Sequence, residues 1–361
     1  MNQVFLHLKK MDWVLISFSV LLVLIGLLFI SSSCDDFSEV KKQIIFFLIG
    51  VFLMFFFSFV DYRIFRENSY LILLIYFFSI LALLGLFFFA PEIRGTKSWY
   101  KIFSFSIDPI EFTKLALIII LAKYFSMRHV EMYSFKHIIF SGVYVLIPCL
   151  LAFFQPNLGS VLILVSIWMI VLFISGIKIK QFAFLVLVFA LILSVGWSFL
   201  LHDYQKERIV SFIFPEANLL GSGWSQNQSK IAVGSGEITG KGIGENSQAR
   251  YGFLPEAHTD FIFACLAEES GFIGVSFLFL IYGLFINRML KICLKSKSNF
   301  PRLLIVGYVA LLVVQIFINV GMNLGIMPVI GISLPFVSYG GSGLIALFLG
   351  LGIIESVVVH S

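Results

Sequence analysis

Apolar residues run along this chain in long, nearly unbroken blocks, and the polar residues gather in the gaps between them. A helix needs about 20 apolar residues to cross the hydrocarbon core of a bilayer, with roughly 17 as a lower limit. Ten blocks reach that length: 13–33, 44–60, 70–89, 110–126, 138–154, 159–177, 182–201, 260–287, 303–326 and 340–359. The pattern predicts an all-α polytopic integral membrane protein of about ten transmembrane helices, forming one domain over residues 1–361. The fourth block is the weakest, because it is short and holds Lys114 and Lys123, which would snorkel toward opposite faces. Lys9 and Lys10 precede the first block as in a signal peptide, but its apolar run is too long for one and is expected to be a retained span. The longest gap, about 202–259, separates the seventh and eighth blocks. A long structured loop in a compact protein usually carries function, so the active surface is expected there and in the next longest gap on the same side, 90–109.

Composition sharpens this picture. The chain is 60% hydrophobic and 12% charged, against roughly 25% charged for a soluble domain. That excludes a soluble enzyme, a disordered protein and a nucleic-acid-binding module, so the net charge of +5 is to be read loop by loop. Fourteen of the 25 basic residues but only five of the 20 acids fall on the face that carries both termini, giving that face +9 and the other −4. The positive-inside rule then places both termini in the cytoplasm and the two long polar gaps outside. Cys34, Cys149, Cys265 and Cys293 show no metal or redox spacing and read as small buried hydrophobes. The 43 phenylalanines read as lipid-facing or interhelical packing.

Four segments bring polar groups to the outer face. The first runs from Arg94 and Lys97 to Asp108-Pro109-Ile110-Glu111, with Lys114 one turn on. Pro109 suits the first turn of a helix, and Glu111 and Lys114 share a helix face. A local ion pair and a cationic site at the mouth of the bundle both fit. The second, Gln155-Pro156-Asn157-Leu158-Gly159-Ser160, is a tight turn in which Asn157 either caps a helix or touches substrate. The third is the long loop, with Arg208, Lys230, a glycine-rich stretch over 234–244, and Glu256, His258 and Asp260 just before the eighth block. The glycines do not match a phosphate-binding loop and read as flexible turns, and the acid–histidine cluster does not match H-E-x-x-H. Asp260 is either an N-cap or a carboxylate base at the water–lipid boundary. Glu268 and Glu269, two turns further on, are expected to face a bundle interior or a wet cavity, in a structural or a substrate-lining role. The fourth holds Asn319, Asn323, Pro328, Gly331, Ser338, Tyr339 and Ser342. Broken, polar backbone at membrane depth is tolerated only where it is buried in protein or lines a cavity.

Taken together, these segments resemble the SEDS family of RodA, FtsW and the sporulation homologue, over essentially the full chain. The runs Leu254 to Ala264 and Leu334 to Ser342 carry the resemblance most specifically. Tyr204 to Pro215, Gln228 to Gly236 and Met11-Asp12-Trp13 lean toward the RodA branch. The resemblance implies a peptidoglycan glycosyltransferase of the bacterial cytoplasmic (inner) membrane that polymerises lipid II during cell-wall elongation. It implies a class B penicillin-binding transpeptidase and other elongation-machinery proteins as partners, with no nucleic acid. It also implies Asp260 as the catalytic residue and Lys114 as its partner. Two stretches depart from the family pattern: Asp108-Pro109-Ile110-Glu111 stands for Gln-Pro-Ser-Glu, and Pro156-Asn157-Leu158-Gly159 for Pro-Asp-Leu/Phe-Gly.

The chemistry is consistent with this. A carboxylate can take the proton of a sugar hydroxyl while a pyrophosphate leaves, and the leaving charge needs cations to compensate it. Arg94, Lys97, Lys114, Arg208 and Lys230 are available for that on the outer face, together with Lys241 and Arg250. A divalent cation would serve the same purpose, and no other cofactor is assigned. Glu111, Glu256, His258, Ser338 and Tyr339 complete the expected substrate-binding set. An FtsW-like division polymerase, a lipid II flippase that makes no bond and a non-catalytic scaffold for the transpeptidase remain as alternatives.

Overall fold

A computed structural model describes residues 2–33, 37–91, 98–102, 105–127, 135–199, 203–214, 222–245 and 247–360. Its elements in chain order begin with α1 (Asn2–Lys10), α2 (Trp13–Ser33), α3 (Ser38–Phe59), α4 (Arg63–Glu67) and α5 (Ser69–Phe89). A two-stranded hairpin follows, β1 (Tyr100–Ile102) and β2 (Phe105–Ile107). Then come α6 (Pro109–Met127), α7 (Phe135–Phe154), α8 (Leu158–Ile174) and α9 (Ile179–Phe199). The long loop folds into α10 (Asp203–Ile213), α11 (Ser222–Ser235) and α12 (Ser247–Arg250), and the chain closes with α13 (Ile262–Lys295), α14 (Asn299–Leu324) and α15 (Gly341–His360).

Every apolar block becomes a helix, with corrections. Among the described residues seven helices are long and apolar enough to cross a membrane: α2, α3, α5, α7, α13, α14 and α15. Helix α8 has 17 residues, and α9 is apolar over Ile179–Leu191. Helix α6 is interrupted by Glu111, Lys114 and Lys123, yet it lies at the centre, buried almost continuously from Thr113 to Ala122. Lys114 is ion-paired, and Lys123 donates to the Arg66 carbonyl. The all-α expectation missed the hairpin, whose Phe–Ser alternation is a strand period. Tyr100 pairs with Ile107 across it, and the Tyr100 hydroxyl ties it to the Ala82 carbonyl of α5.

Helices α6, α14 and α15 form the middle of the bundle, and α3, α5 and α7 wrap it with apolar side chains facing outward, Phe52, Phe77, Phe88 and Phe154 among them. Between helices in lipid, close backbone approach replaces the hydrophobic effect as the source of packing energy. A side chain at Gly352 of α15 would lie 2.6 Å from the Met54 carbonyl of α3, and one at Gly50 of α3 would lie 2.9 Å from Phe348. Cys149, Cys265 and Cys293 are buried free thiols; Cys34 lies outside the described residues.

Helix α13 holds the loop. At 34 residues it is longer than a simple span and breaks at Gly271, whose φ of 62° is open to glycine. In an unbroken helix the N–H groups of Phe272 and Ile273 would bond to the carbonyls of Glu268 and Glu269. Here they donate to the loop carbonyls of Glu237 and Ile238, at 2.9 and 3.1 Å. The freed Glu268 and Glu269 carbonyls accept from Lys241 and Gly242 N–H, each at 3.0 Å. Two helical bonds are thus exchanged for four between loop and kink. The glutamate side chains close the clip. Lys241 pairs with Glu268 at 2.6 Å, and Glu269 accepts from Gly244 N–H at 3.2 Å and from the Ser32 hydroxyl. The glycine-rich stretch expected as flexible turns is therefore a docked segment.

Candidate functional site

The residues around Asp260 are built from the turn that precedes α13. The N–H groups of Thr259, Asp260 and Phe261 converge on the Glu256 carbonyl at 3.1 to 3.3 Å. Leu254, Ala257 and Phe261 bury their side chains against Ala232 of α11 and Ala264 and Cys265 of α13. This small apolar cluster fixes the turn against the helix. The N-cap position of α13 is Phe261, with no side-chain cap, so Asp260 is not the cap its spacing suggested. Its carboxylate lies over Gly331, where an added Cβ would sit 3.4 Å from Oδ2.

The backbone of Asp260 is clamped. Its carbonyl accepts from Asn319 Nδ2 and Asn323 Nδ2, both at 3.0 Å. The two asparagines are four apart on α14 and so project from one face. Asn319 also donates to the Ile332 carbonyl at 2.7 Å, and Asn323 Oδ1 accepts from Ala264 N–H at 3.2 Å and from Ser229 of α11. The turn, the broken stretch after α14 and the loop helix thus meet on two amide side chains.

The broken stretch closes over the turn from the other side. The Ser338 hydroxyl donates to the Thr259 carbonyl at 2.6 Å and accepts from Leu334 N–H at 2.8 Å. Tyr339 N–H donates to the His258 carbonyl at 2.9 Å, and the two rings meet edge to face. Helix α3 adds a third wall. Gln43 donates to the Ser338 carbonyl and accepts from Gly340 N–H, each at 3.2 Å, and Glu39 meets His258 Nε2 at 3.3 Å. Two non-glycine residues here have positive φ, Glu256 at 55° and Phe336 at 64°. Such strain persists only where the surroundings over-determine it, and Phe336 is held edge-on between Phe285 and Phe348.

Helix α6 supplies the cationic side. Pro109 takes its first position, and Asp108 Oδ1 accepts from Ile110 N–H at 3.1 Å. The Asp108 N–H donates to Ser342 of α15, which ties the two helix starts together. Burial, reinforced by the neighbouring Glu111 charge, pushes the Asp108 carboxyl up to about 7. One turn on, Lys114 Nζ meets Glu111 Oε1 at 2.6 Å, with Lys114 buried and Glu111 partly exposed. Glu111 and Ser338 line one cavity of about 10 Å³, together with Gln315 and Gly343. That is about the volume of a single water position. The buried Gln315 Oε1 has no hydrogen-bond partner among the described residues. The Glu111–Lys114 pair is therefore connected to the Asp260 turn through this cavity and Ser338.

The sequence-derived candidates divide accordingly. Asp260, Lys114, Glu111, Glu256, His258, Ser338 and Tyr339 belong to one assembly, with Glu256 accepting from the Thr259 hydroxyl at 3.2 Å. Arg94 and Lys97 lie outside the described residues. Arg208 is exposed on α10, and Lys230 of α11 lies over Gly325 at the end of α14. Asn157 is a helix cap, accepting from Ser160 N–H at 3.1 Å. Glu39 and Gln43 were missed because α3 begins at Ser38, six residues before its apolar block. The amides Gln315, Asn319 and Asn323 were visible as a polar stripe at a spacing of four in an apolar helix, but their partner, the Asp260 carbonyl, was not.

A polytopic helical bundle with a clamped acid turn at one end and a buried ion pair beside it is a membrane protein with a polar site at the mouth of its core. A family model described as cell cycle protein, covering FtsW, RodA and SpoVE, matches residues 7–361, and the chain belongs to that family. It is 36% identical over 341 residues to the peptidoglycan glycosyltransferase MrdB of Escherichia coli (strain K12), covering 94% of this chain and 91% of the relative. In fold it matches a chain of a peptidoglycan synthase complex described as coordinating polymerization and crosslinking, with a TM-score of 0.81, 30% identity, and 96% and 97% of the two chains covered. It also matches the rod shape determining protein RodA of Thermus thermophilus, with a TM-score of 0.70, 27% identity and 96% of each chain covered.

Proposed function

We propose that this chain is a peptidoglycan glycosyltransferase that polymerises lipid II for cell-wall elongation, with Asp260 as general base. The observation that carries the reading is the immobilised acid turn. Its carbonyl is held by two asparagines and its neighbour by Ser338, so the backbone that carries the carboxylate is fixed in place. In the reaction Asp260 takes the proton of the acceptor sugar hydroxyl. That oxygen bonds to the anomeric carbon of the donor, and the bond from that carbon to the lipid pyrophosphate breaks. Lys114, oriented by Glu111, tunes the Asp260 charge. The cations expected on this face are assigned to the leaving pyrophosphate. Among the described residues no group of three or more His, Cys, Asp or Glu could hold a metal. A divalent cation would therefore draw part of its ligand set from the pyrophosphate itself.

Several observations support the wider assignment. With ten spans taken from the apolar blocks, the charge asymmetry favours both termini in the cytoplasm of a bacterial inner membrane, which puts the Asp260 turn outside. The similarity to MrdB and RodA favours elongation over division. The synthase complex, described by polymerization and crosslinking, favours a class B transpeptidase partner. A flippase would need its deep charges accessible to cargo. Glu268 and Glu269 are instead buried and engaged by the loop, which weighs against translocation through them.

The deciding experiment is glycan polymerisation from lipid II in liposomes, comparing wild type with Asp260→Asn, each with and without the class B partner. Polymer from wild type alone supports the assignment. Polymer from a folded Asp260→Asn protein at the normal rate removes Asp260 from the chemistry. Lipid II crossing the bilayer with no polymer under any condition would make the protein a transporter.

A further inference from the structure

A second cavity, of about 400 Å³, lies at the other end of the bundle and takes no part in the site above. Twelve residues of α6 separate Glu111 from Lys123, roughly 18 Å at helical rise, and Lys123 donates to the carbonyl of Arg66 in the cavity wall. The cavity is lined by Arg63 and Arg66 of α4, Glu67 beside them, Tyr62, and Lys297 and Ser298 just before α14.

Its charge balance is positive. Arg63 has Asp61 at 4.0 Å and donates to the His360 carbonyl at 2.7 Å, and Arg66 meets Glu67 at 3.0 Å. Among the described residues exposed Lys297 has no ion-pair partner. Arg302, which donates to the carbonyl of the lining residue Ser296 at 2.8 Å, and Lys123 stand just behind. Five cations therefore face two acids. The wall also contains the start of α14, a helix of 26 residues whose free N–H groups and dipole favour an anion. Ser298 sits at its N-cap with extended backbone but makes no cap bond. Its buried hydroxyl has no hydrogen-bond partner among the described residues. An N-cap serine normally satisfies one of those N–H groups; here it does not, and the first turn, which contains Pro301, gets no side-chain cap.

The surroundings point to the source of the anion. The cavity sits where helices end, and exposed Phe59, Ile64 and Leu294 flank its elements with apolar surface. A phosphate on an acyl-bearing molecule would be met by cations and helix N–H groups, and its chains by these side chains. We infer that this cavity binds the phosphate headgroup of an anionic phospholipid. Basic pockets between helices at the cytoplasmic surface suit such headgroups. The site is independent of the transferase chemistry and takes no residue from it.

The test is native mass spectrometry of the full-length protein released from detergent, with phosphatidylglycerol or cardiolipin added against phosphatidylethanolamine, and with inorganic phosphate as a separate arm. Wild type is expected to retain the anionic lipids in preference to phosphatidylethanolamine. Removing all three lining cations in R63Q/R66Q/K297Q should weaken that retention on the order of 100-fold, and K297Q alone about five-fold. K297Q changes one exposed, unpaired side chain, so it decides the matter if the triple variant elutes as an aggregate. K9Q/K10Q, which removes two basic charges that do not line the cavity, should retain the lipid as wild type does. Equal loss in K9Q/K10Q and K297Q, or equal retention of anionic and zwitterionic lipid by wild type, would overturn the site. Inorganic phosphate that displaces the lipid at equal concentration would overturn the lipid as its ligand.

Discussion

Ser338 donates its hydroxyl to the carbonyl of Thr259 at 2.6 Å, so a residue of the broken stretch after α14 fixes the backbone immediately before Asp260. The same hydroxyl accepts from Leu334 N–H, which leaves both groups unpaired if it is removed. Ser338→Ala should therefore cost about 1–3 kcal/mol of stability, the penalty of buried groups left unsatisfied. It should also lower polymerisation, because the acid turn loses its tether. Thermal melting in detergent and a lipid II polymerisation rate measure the two effects separately. Full activity with a lowered melting temperature would show that the tether serves only the fold.

Asp260→Asn retains the backbone carbonyl that Asn319 and Asn323 clamp, so the fold should be unchanged. The rate should fall by roughly 100-fold or more, the usual contribution of a positioned base. Asp260→Glu displaces the carboxylate by one methylene and should recover only part of that loss. Rates for the two variants, beside their melting curves, check both statements.

The buried Lys114 ammonium has Glu111 as its partner at 2.6 Å. Glu111→Gln leaves a buried charge uncompensated and should destabilise the protein by about 3–5 kcal/mol. The double variant Glu111→Gln/Lys114→Met removes both charges and should regain much of that stability while remaining inactive. Recovery of polymerisation in the double variant would exclude the ion pair from catalysis.

Asp108 gives a pH signature. Burial raises its carboxyl from about 3.8 to about 7, so the folded protein prefers the protonated form. Stability is then lost as pH rises from about 4 to about 7, and the loss is complete above 7. Asp108→Asn keeps the oxygen that accepts from Ile110 N–H and removes the ionisation. Its melting temperature should match wild type near pH 4, rise above it progressively toward pH 7, and stay above it at pH 8. A difference independent of pH would contradict the assignment.

Gly271 takes a φ of 62°, and a side chain there would lie 2.7 Å from the Ile238 carbonyl. Gly271→Ala should cost roughly 1–3 kcal/mol in backbone strain alone and push the docked loop segment off α13. Amide exchange over residues 237–242 should accelerate, while protection in the middle of α14 stays as it was.

The sequence by itself determined a helical membrane bundle and the position of each apolar helix, and it put Glu111 and Lys114 on one helix face. Hydrophobic block length and helical spacing are local properties, readable one segment at a time. It also brought out Asp260, through chemistry and family pattern. Only the tertiary structure decided what holds that residue. Asn319 and Asn323 find its carbonyl from about 60 residues away, and Gln43 reaches Ser338 across 295. The short, charged fourth block proved to be a central helix, because its lysines meet partners supplied by its own turn and by α4. The glycine-rich loop proved to be docked, because a break in α13 frees backbone groups that only another segment can satisfy. Hydrogen-bond partners of this kind are set by which segments meet in space, and no period or composition along the chain encodes that meeting.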